Sequence, residues 1–482
     1  MSKSIKVNFA YNLINTFSSI LFPLIAFPYA ARIMEADGIG RINFLSSIIS
    51  YVTLFTSLGI PLYAIRVISK ARDDLYKRNH AAKEILSLHL ILVAVGYIIV
   101  LLIAIFVPKI HEDVALFLLL SLCIFFSAIG CEWFYQGTED FKYITIRALI
   151  IRTVSLVFLF LLVKSKSDIY WYAGYSVVGS VGNNLFNFHR LYDKLKTTSI
   201  PTRDLHPTRH LLPALHVFAL NLIISIYLNL NLVMLGFMHS SESVGLFTGA
   251  TRMTNIALGF VTALGTVMLP RLSNLLATGK MEEFRTLSQK AFSFIFAVSF
   301  PLSVGVACCA DFLITLLCGD TYYGAIVTLQ IISPIIFMIA LSGVMGIQIL
   351  YPQGQENKVI ICTAIGAVVN VIINIILIPK FAHNGAAIAT ATAETMVTLS
   401  MALIGAKHIP IKWFTRSHIV YLIGGLLMFA AIYPLSHIEK PLYVRFPLVV
   451  LTGITVYAMV LTVAKDSFLK EIAIIIKYKF HK

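Results

Sequence analysis

Tyr135-Gln136-Gly137, followed by Lys142, returns in altered form later in the chain as Tyr351-Pro352-Gln353-Gly354, followed by Lys358. After each lysine comes an apolar stretch, and both stretches end at a second lysine after the same interval. The two copies stand about 216 residues apart, which is too long for the unit of a solenoid. The repeat therefore predicts two homologous helical bundles in one membrane protein, an arrangement with which transporters place a site between halves.

The composition of the chain independently predicts an integral membrane protein. The 482 residues are 58% hydrophobic and 13% charged, which is too little charge for a soluble surface. Runs of about 20 apolar residues recur along the chain, each long enough to cross a hydrocarbon core of about 30 Å as a helix. We predict an all-α integral membrane protein with about fourteen transmembrane helices. The predicted spans are 10–34, 42–66, 83–107, 114–136, 143–163, 168–189, 211–237, 244–270, 287–309, 325–351, 358–378, 385–406, 418–436 and 442–464.

The distribution of positive charge predicts the orientation of the chain. The net charge is +15, and Lys and Arg concentrate in alternate loops and in the C-terminal tail. Segments rich in Lys and Arg normally face the cytoplasm, so both termini are predicted to be cytoplasmic. This charge fits contact with anionic lipid and gives no reason to expect a nucleic-acid partner.

The repeat and the spans together predict the domain organisation. Each half holds six spans, so both halves enter the membrane from the same side and should be related by a pseudo-two-fold axis along the membrane normal. The last two spans have no counterpart in the repeat. The predicted parts are an N-lobe over 1–190, a basic cytoplasmic linker over 191–210, a C-lobe over 211–406, two extra helices over 407–464 and a basic cytoplasmic tail over 465–482.

Motifs for catalysis or cofactor binding are missing from the sequence. It has no P-loop, no His-Glu-x-x-His and no Asp-x-Asp pair, and Gly38-Ile39-Gly40 fits a turn between spans. His206 and His210 are four residues apart, but Pro207 breaks the helix that would align them on a metal. The six cysteines have no metal-ligand spacing and fit packing inside the spans. We expect a membrane transporter, and no enzyme, cofactor or metal site.

Polar residues inside the predicted spans are candidate substrate contacts, because they are costly in lipid and usually face a cavity or a partner. Three spans carry polar stripes at helical spacing. Small and amide side chains also pack helices together in lipid, so both cavity lining and packing are open for the stripes. They consist of Thr248, Arg252, Asn255, Gly259 and Thr262; of Asn221, Ser225 and Asn229; and of Gly366, Asn370 and Asn374.

Charged residues inside the spans need separate interpretations. Glu132 and Arg147 should lie at similar depth near the cytoplasmic end, which favours a structural ion pair. Arg152 lies roughly 14 Å deep at a rise of 1.5 Å per residue, and the spans next to it in sequence offer no carboxylate at that depth. Glu394 is equally deep in the other half, so its contact with Arg152 across a central cavity is one hypothesis.

Arg32 and Arg41 lie near the outer membrane boundary. Pro23 and Pro28 should kink the first span and aim its end, which carries Arg32. These two arginines either snorkel to the interface or line the cavity. The complete set of predicted cavity residues is Arg32, Arg41, Arg152, Arg252, Asn221, Asn229, Asn255, Asn370, Asn374 and Glu394.

Three blocks of sequence resemble bacterial polysaccharide exporters. The block from Phe27 to Arg32, with the glycines that follow, is similar to the opening signature of that group. The block from Trp133 to Thr145 resembles the signature of Wzx-type flippases between spans four and five, and it is the most specific of the three. In the second half, Gly245-Leu246-Phe247 leading to Arg252 is similar as well. The resemblance runs over nearly the whole chain.

This resemblance implies the fold of the multidrug/oligosaccharidyl-lipid/polysaccharide (MOP, MATE-like) exporters in a bacterial cytoplasmic (inner) membrane. Wzx-type flippases carry undecaprenyl-diphosphate-linked oligosaccharide units from the inner to the outer leaflet, by alternating access through a cationic cavity. The units serve O-antigen, capsule or exopolysaccharide assembly, and the two extra spans are thought to border the lipid tail. The implied partners are that lipid-linked substrate, membrane lipids and other polysaccharide-assembly proteins.

Two other classes of protein fit less well. A multidrug cation antiporter of the same superfamily should expose acidic residues in its first lobe, but the first span has none before Glu35. An enzyme that polymerises or ligates lipid-linked sugars would need a sizeable outer loop, and the longest predicted one, 310–324, is short. The cationic candidates instead suit a diphosphate, because the arginine fork donates paired hydrogen bonds and keeps its charge.

Overall fold

The computed structural model describes residues 5–198 and 200–466, and within them every regular element is helical. The predicted all-α membrane fold is confirmed. Nine helical segments of the described chain are long and apolar enough to cross a membrane. Two of these segments contain a backbone break that separates a pair of predicted spans, so the total of fourteen crossings stays a prediction.

The chain divides into two compact units, Met1–Gly245 and Leu246–Lys482. This boundary lies beyond the predicted linker 191–210, because the helix that follows the linker packs against the first two helices of the chain. The helices of the first unit are α1 (Ile5–Ser57), α2 (Ile60–Lys70), α3 (Leu75–Phe106), α4 (Pro108–His111), α5 (Val114–Ile129), α6 (Glu132–Gly137), α7 (Phe141–Leu162), α8 (Ile169–Val181), α9 (Asn183–Lys196) and α10 (Leu211–Met238).

The first helical segment, α1, contains predicted span one and most of span two. Pro23 and Pro28 lie inside it, and its helical geometry breaks at Glu35, whose φ is 56°. This break falls in the gap between the predicted spans 10–34 and 42–66. Around α1, the first unit gathers α3, α5, α7 and α10, all of which pack against it.

The repeated tyrosine motif has a structural role in its first copy. Trp133, Phe134 and Tyr135 belong to the short helix α6 and are almost fully buried in a core formed with α2, α3 and α9. The Tyr135 hydroxyl donates a hydrogen bond of 2.7 Å to the backbone oxygen of Asn187. In the second copy Tyr351 is 42% exposed. The two copies therefore share their place in the sequence repeat but differ in burial.

The second unit consists of the remaining helices. Its elements are α11 (Ser241–Ala277, which begins in the first unit), α12 (Met281–Cys308), α13 (Ala310–Cys318), α14 (Ala325–Ile332), α15 (Ile335–Gly343), a π-helix (Val344–Leu350), α16 (Glu356–Ile404), α17 (Arg416–Ser436) and α18 (Leu442–Val463). The α16 segment breaks at Ala382, whose φ is 49°, shortly after Pro379. This break again falls between two predicted spans. The two extra helices, α17 and α18, pack on each other and on α12.

Two glycines bring α1 and the beginning of α11 into backbone contact. A Cβ atom on Gly40 would lie 1.7 Å from the carbonyl oxygen of Ser241, and one on Gly245 would lie 1.8 Å from that of Ala36. Only glycine permits so close an approach of two backbones. The segment from Gly38 to Gly40, predicted as a turn, is instead helical, and the break in helical geometry lies earlier, at Glu35.

Candidate functional site

Arg41, a predicted cavity residue, is paired with an acid that the sequence analysis did not single out. Its Nε donates to Asp113 Oδ2 over 2.8 Å, and its second terminal nitrogen contacts the other carboxylate oxygen. Asp113 directly precedes α5 at the same end of the unit, where Lys166 also lies 2.6 Å from Glu35. The bidentate geometry is the strong form of an arginine–carboxylate pair. A substrate phosphate at Arg41 would have to share the guanidinium group with Asp113.

Arg152 lies on α7 and is held by neutral acceptors of α1. Its Nη1 donates to the backbone oxygen of Asn15 over 3.1 Å and to the Asn15 side-chain oxygen over 3.2 Å, and it also contacts the Ser18 hydroxyl. Arg152 forms no ion pair with a carboxylate within residues 5–198 and 200–466. The contact of Arg152 with Glu394, which belongs to the second unit, stays a prediction. Glu394 itself is 7% exposed in α16.

Glu132 and Arg147 come together as the ion-pair interpretation expects. Arg147 Nη2 lies 3.4 Å from Glu132 Oε2, and Arg147 is 6% exposed whereas the Glu132 side chain is 38% exposed. The arginine is therefore the buried member of the pair. Water hydrates the Glu132 carboxylate but hardly reaches the Arg147 guanidinium group. Loss of Glu132 should therefore destabilise the fold more through Arg147 than loss of Arg147 does through Glu132.

The stripe on α11 divides into a buried and an exposed part. Thr248 is buried, whereas Arg252, Asn255 and Thr262 are exposed. Arg252 and Asn255 are three residues apart and thus neighbours on one helical face. An exposed arginine and amide on a transmembrane helix can donate hydrogen bonds to a ligand that reaches this face.

The stripe on α16 is buried, which favours the packing interpretation. Asn370 and Asn374 are 1% and 0% exposed, and the Asn374 amide donates a hydrogen bond of 2.9 Å to the Asn370 side-chain oxygen. A Cβ atom on Gly366 would lie 2.2 Å from a methyl group of Val397, on the part of α16 beyond the break. The stripe thus lies at a helix–helix contact built on a small residue, as is common in membrane proteins.

Three other predicted cavity residues have less defined surroundings. Arg32 is exposed in α1, before the Glu35 break, and Asn229 is half-buried in α10. The backbone of Asn221 is helical, but its side chain lies outside the part of the structure that is described, as does that of Ser225. Their place in a cavity stays a prediction.

The histidines considered for a metal site instead attach the linker to α3. Glu84 is fully buried, and it accepts a hydrogen bond of 2.7 Å from the backbone nitrogen of His206. His210 Nε2 lies 3.0 Å from Glu84 Oε2, and the Arg209 guanidinium contacts the same oxygen. Burial lowers the pKa of His210, although its hydrogen bond with Glu84 acts in the opposite direction. The described residues contain no group of three or more His, Cys, Asp or Glu that could hold a metal ion.

An apolar groove of about 590 Å³ lies in the second unit between α12, α17 and α18. Its walls include Pro301, Val306, Met428, Val449 and Tyr457. Cys309 also lines it, and all six cysteines of the chain are free thiols. The groove is partly open and its lining is almost entirely apolar, which suits a hydrocarbon chain better than a sugar.

The sequence of residues 5–276, more than half of the chain, matches the family described as "Polysaccharide biosynthesis protein". This chain belongs to that family. A relative named "Putative O-antigen transporter", from Escherichia coli (strain K12), is 26% identical over 401 residues, which are 83% of this chain and 96% of that protein.

Two solved structures share the fold of this chain. A structure of the lipid II flippase MurJ in an inward closed conformation superposes with a TM-score of 0.76 at 15% identity, and it covers 96% of this chain and 100% of that one. An inward-facing MATE-family multidrug resistance transporter of the MOP superfamily gives a TM-score of 0.62 at 15% identity, over 81% and 94% of the two chains. The fold predicted from the resemblance, a multi-pass MOP-type membrane fold, is confirmed.

The residues matched by the family include some of the candidate site residues and leave out others. Arg41, Arg152 and Arg252 lie inside the matched residues 5–276, whereas Asn370 and Glu394 lie beyond them. The apolar groove also lies beyond the matched part. The arginine candidates therefore belong to the matched part of the chain, whereas the acidic candidate Glu394 does not.

Proposed function

We propose that this protein is a flippase that carries undecaprenyl-diphosphate-linked oligosaccharide units from the inner to the outer leaflet of the bacterial cytoplasmic membrane. The units would be building blocks of O-antigen, capsule or exopolysaccharide. The observation that carries the proposal is the similarity to an O-antigen transporter along nearly the whole length of that relative. The fold shared with a lipid II flippase supports it further.

Arginines of each unit, taken separately, are the proposed contacts of the diphosphate. Arg252 and Asn255 lie on an exposed helical face, and Arg152 is held by neutral acceptors. Arginine stays charged when it is desolvated and forms paired hydrogen bonds with phosphate oxygens. We assign Arg252 and Arg152 as primary diphosphate contacts, with Arg32 and Arg41 as further candidates at the outer end.

The prenyl tail would lie in the apolar groove between α12, α17 and α18. A groove of about 590 Å³ holds only part of so long a chain, so the remainder would extend into the bilayer. The free energy gained when a prenyl chain covers the apolar walls is small, because bilayer lipid would otherwise cover the same walls. The groove would therefore direct the tail rather than hold it tightly.

The proposed orientation places both termini in the cytoplasm, since the basic loops and the basic tail should stay on that side. Transport would proceed by alternating access, with no covalent chemistry. Other polysaccharide-assembly proteins are proposed partners. Cysteine accessibility tests the orientation: a membrane-impermeant thiol reagent should label a cysteine placed at Lys109 in intact spheroplasts but not one placed at Arg285.

The deciding experiment is deletion of the gene in a strain that makes a surface polysaccharide. Lipid-linked repeat units should accumulate in the cytoplasmic leaflet and surface glycan should disappear, and the wild-type gene should restore both. If complete repeat units still reached the outer leaflet at the normal rate, the proposal would fail.

A MATE-like cation antiporter is the second candidate, supported by the fold shared with a multidrug resistance transporter. That function requires resistance to organic cations to fall on deletion while surface glycan stays normal. A comparison of the deletion strain with its parent thus separates the two functions: a flippase predicts loss of surface glycan, and an antiporter predicts loss of resistance to organic cations.

A further inference from the structure

A cleft of about 540 Å³ opens between α7 and α9 in the first unit, at residues that have no part in the proposed transport path. One end of the cleft is polar and is lined by Asp140, Lys142, Tyr143, Arg147 and Arg190. Its wall is apolar and includes Ile146, Ile150 and Phe186, whose side chains are 43%, 56% and 57% exposed. The polar end lies where α7 begins and α9 approaches its end, which is the cytoplasmic boundary in the proposed orientation.

Two arginines meet at one aromatic ring in this cleft. The guanidinium carbon of Arg190 lies 4.0 Å from the centre of the Tyr143 ring, and that of Arg147 lies 5.4 Å from it. Contact with an aromatic face fixes the plane of a guanidinium group and leaves its N–H groups at the edge. Both arginines are therefore held in place before any ligand arrives.

Each arginine is paired with one carboxylate, Arg147 with Glu132 and Arg190 with Asp140, but Arg147 keeps further donors without an acceptor. Nε and Nη1 of Arg147 make no hydrogen bond within the described residues, although the residue is only 6% exposed. Arg190 Nη1 lies 2.9 Å from Asp140 Oδ2, so this ion pair occupies one of the Arg190 donors. Buried polar groups in proteins nearly always have partners, so a small movement of the Arg147 side chain toward the cleft would let a ligand oxygen satisfy these donors.

The charge of the lining favours an anion. Lys142, Arg147 and Arg190 carry three positive charges. Asp140 pairs with Arg190, and Glu132, just outside the lining, pairs with Arg147, so the net excess is the one positive charge of Lys142. Lys142 is exposed and has no ion-pair partner within residues 5–198 and 200–466. The excess of positive charge lies directly beside an apolar wall. A ligand that satisfies both must carry an anionic head and a hydrocarbon chain.

We propose that this cleft binds the phosphate headgroup of an anionic phospholipid from the cytoplasmic leaflet, as a site separate from that of the transported substrate. Its phosphate oxygens would accept hydrogen bonds from Arg147 and Arg190, and Lys142 would add charge from the rim. An acyl chain would follow Ile146 and Ile150 along α7. Basic pockets between transmembrane helices on the cytoplasmic side suit such headgroups, because that leaflet carries the anionic lipid.

We infer a lipid, and not free phosphate, as the ligand because the cleft has an apolar wall beside its polar end. Free phosphate would use only the polar end and leave the apolar wall to other molecules. The volume of about 540 Å³ is in the range of a single small-ligand site, enough for one headgroup and the first part of a chain.

Native mass spectrometry of the purified full-length protein tests the proposal, and it does not depend on transport. The protein is titrated with phosphatidylglycerol and with phosphatidylcholine of the same chains, and inorganic phosphate is added as a competitor. We expect phosphatidylglycerol to bind at least about 10-fold more tightly than phosphatidylcholine, because both lipids carry the phosphate but the choline cation of phosphatidylcholine is repelled by the basic residues of the cleft. Equal binding of the two lipids would overturn the proposal.

Variants locate the binding. Lys142→Gln should weaken phosphatidylglycerol binding about 5-fold and Arg190→Gln about 10-fold or more. Asp140→Asn should strengthen it, because it removes the acid that competes for Arg190. Arg72→Gln is the matched control: this arginine is also half-exposed and paired with a carboxylate, Glu139 at 2.8 Å, but it does not line the cleft. Unchanged affinity in the Lys142 and Asp140 variants would refute the site, even if the Arg190 variant failed to fold.

The apolar wall has its own test. Ile150→Ser should weaken phosphatidylglycerol binding about 3-fold, since part of an exposed isoleucine contact is lost. It should not change competition by inorganic phosphate. If phosphate alone competed as well as the lipid and Ile150→Ser had no effect, the cleft would be a site for free anions and the assignment to a lipid would be wrong. A failure of the flippase proposal would leave all of these lipid affinities unchanged.

Discussion

Replacement of Gly40 by alanine should separate α1 from the beginning of α11. The new Cβ would lie 1.7 Å from the Ser241 carbonyl oxygen, whereas a carbon–oxygen contact normally needs about 3.3 Å. The two backbones must therefore move apart by about 1.5 Å. Alanine gains up to about 1 kcal/mol in helix propensity, but overpacking of this kind costs about 1–3 kcal/mol and the lost contacts add to it. We expect net destabilisation of about 1–3 kcal/mol.

The thermal unfolding midpoint of the purified protein measures this effect against a matched glycine. Gly174 lies in α8 of the same unit, and a Cβ atom there would have nothing within 4 Å. Gly174→Ala should therefore leave the midpoint unchanged or raise it. A lowered midpoint for Gly40→Ala alone would support the backbone contact.

The same contact can be tested from the α11 side. Gly245→Ala meets the Ala36 carbonyl oxygen at 1.8 Å, so it should lower the midpoint as Gly40→Ala does. One separation of the helices relieves both clashes, and the double variant should then lose less stability than the sum of the single variants. Wild-type stability in Gly40→Ala, or strict additivity in the double variant, would refute this account of the contact.

Three further predictions concern charged residues. Arg252→Ala should reduce surface glycan about 10-fold or more while the protein keeps its normal abundance in the membrane, and Arg252→Lys should retain part of the glycan. The control Arg285→Ala should have no effect. Normal surface glycan in Arg252→Ala would exclude a diphosphate contact at Arg252. Glu132→Ala should lower the free energy of unfolding by about 3 kcal/mol, because it leaves the buried Arg147 without its carboxylate partner. The double variant of Glu132 and Arg147 to alanine should lose less stability than the sum of the two single variants. Additive losses would argue against the ion pair. The pKa of His210 is lowered in the fold, so the unfolded chain binds a proton at this histidine more readily than the folded chain does. The free energy of unfolding should therefore fall as the pH drops below about 6.5. His210→Gln should flatten this pH dependence, and an unchanged slope in the variant would contradict the role of His210.

Hydropathy and proline placement predicted where the membrane helices lie. The breaks at Glu35 and Ala382 fall in predicted gaps because both lie at the end of an apolar run and shortly after a proline. The interruptions at Leu58–Gly59 and at Gly182, and the π-helix Val344–Leu350, were not predicted. They lie within apolar runs. Hydropathy measures the length of such a run and does not register a local change in backbone geometry.

The partners of the candidate residues were harder to predict than the residues themselves. Arg41 and Asp113 are 72 positions apart, and His210 and Glu84 are 126 apart. One signal was present: Asp113 and Arg41 both stand where predicted spans meet the outer boundary, so similar depth could have suggested their pairing. No such signal exists for Arg152, because Asn15 and Ser18 are neutral residues in a span where depth alone does not select a partner.

The type of partner separates structural arginines from those available to a substrate. Asp113 neutralises Arg41 directly, so a diphosphate must compete with a carboxylate there. Asn15 and Ser18 hold Arg152 in place without cancelling its charge, so a phosphate could add to these contacts instead of displacing them. We therefore expect Arg41→Ala to lower the thermal midpoint more than the transport rate per molecule, and Arg152→Ala to do the reverse. Both are measured on the same purified protein, by thermal unfolding and by flipping of a lipid-linked oligosaccharide in reconstituted vesicles. If Arg152→Ala unfolded early while Arg41→Ala was stable but inactive, the roles assigned to the two arginines would have to be exchanged.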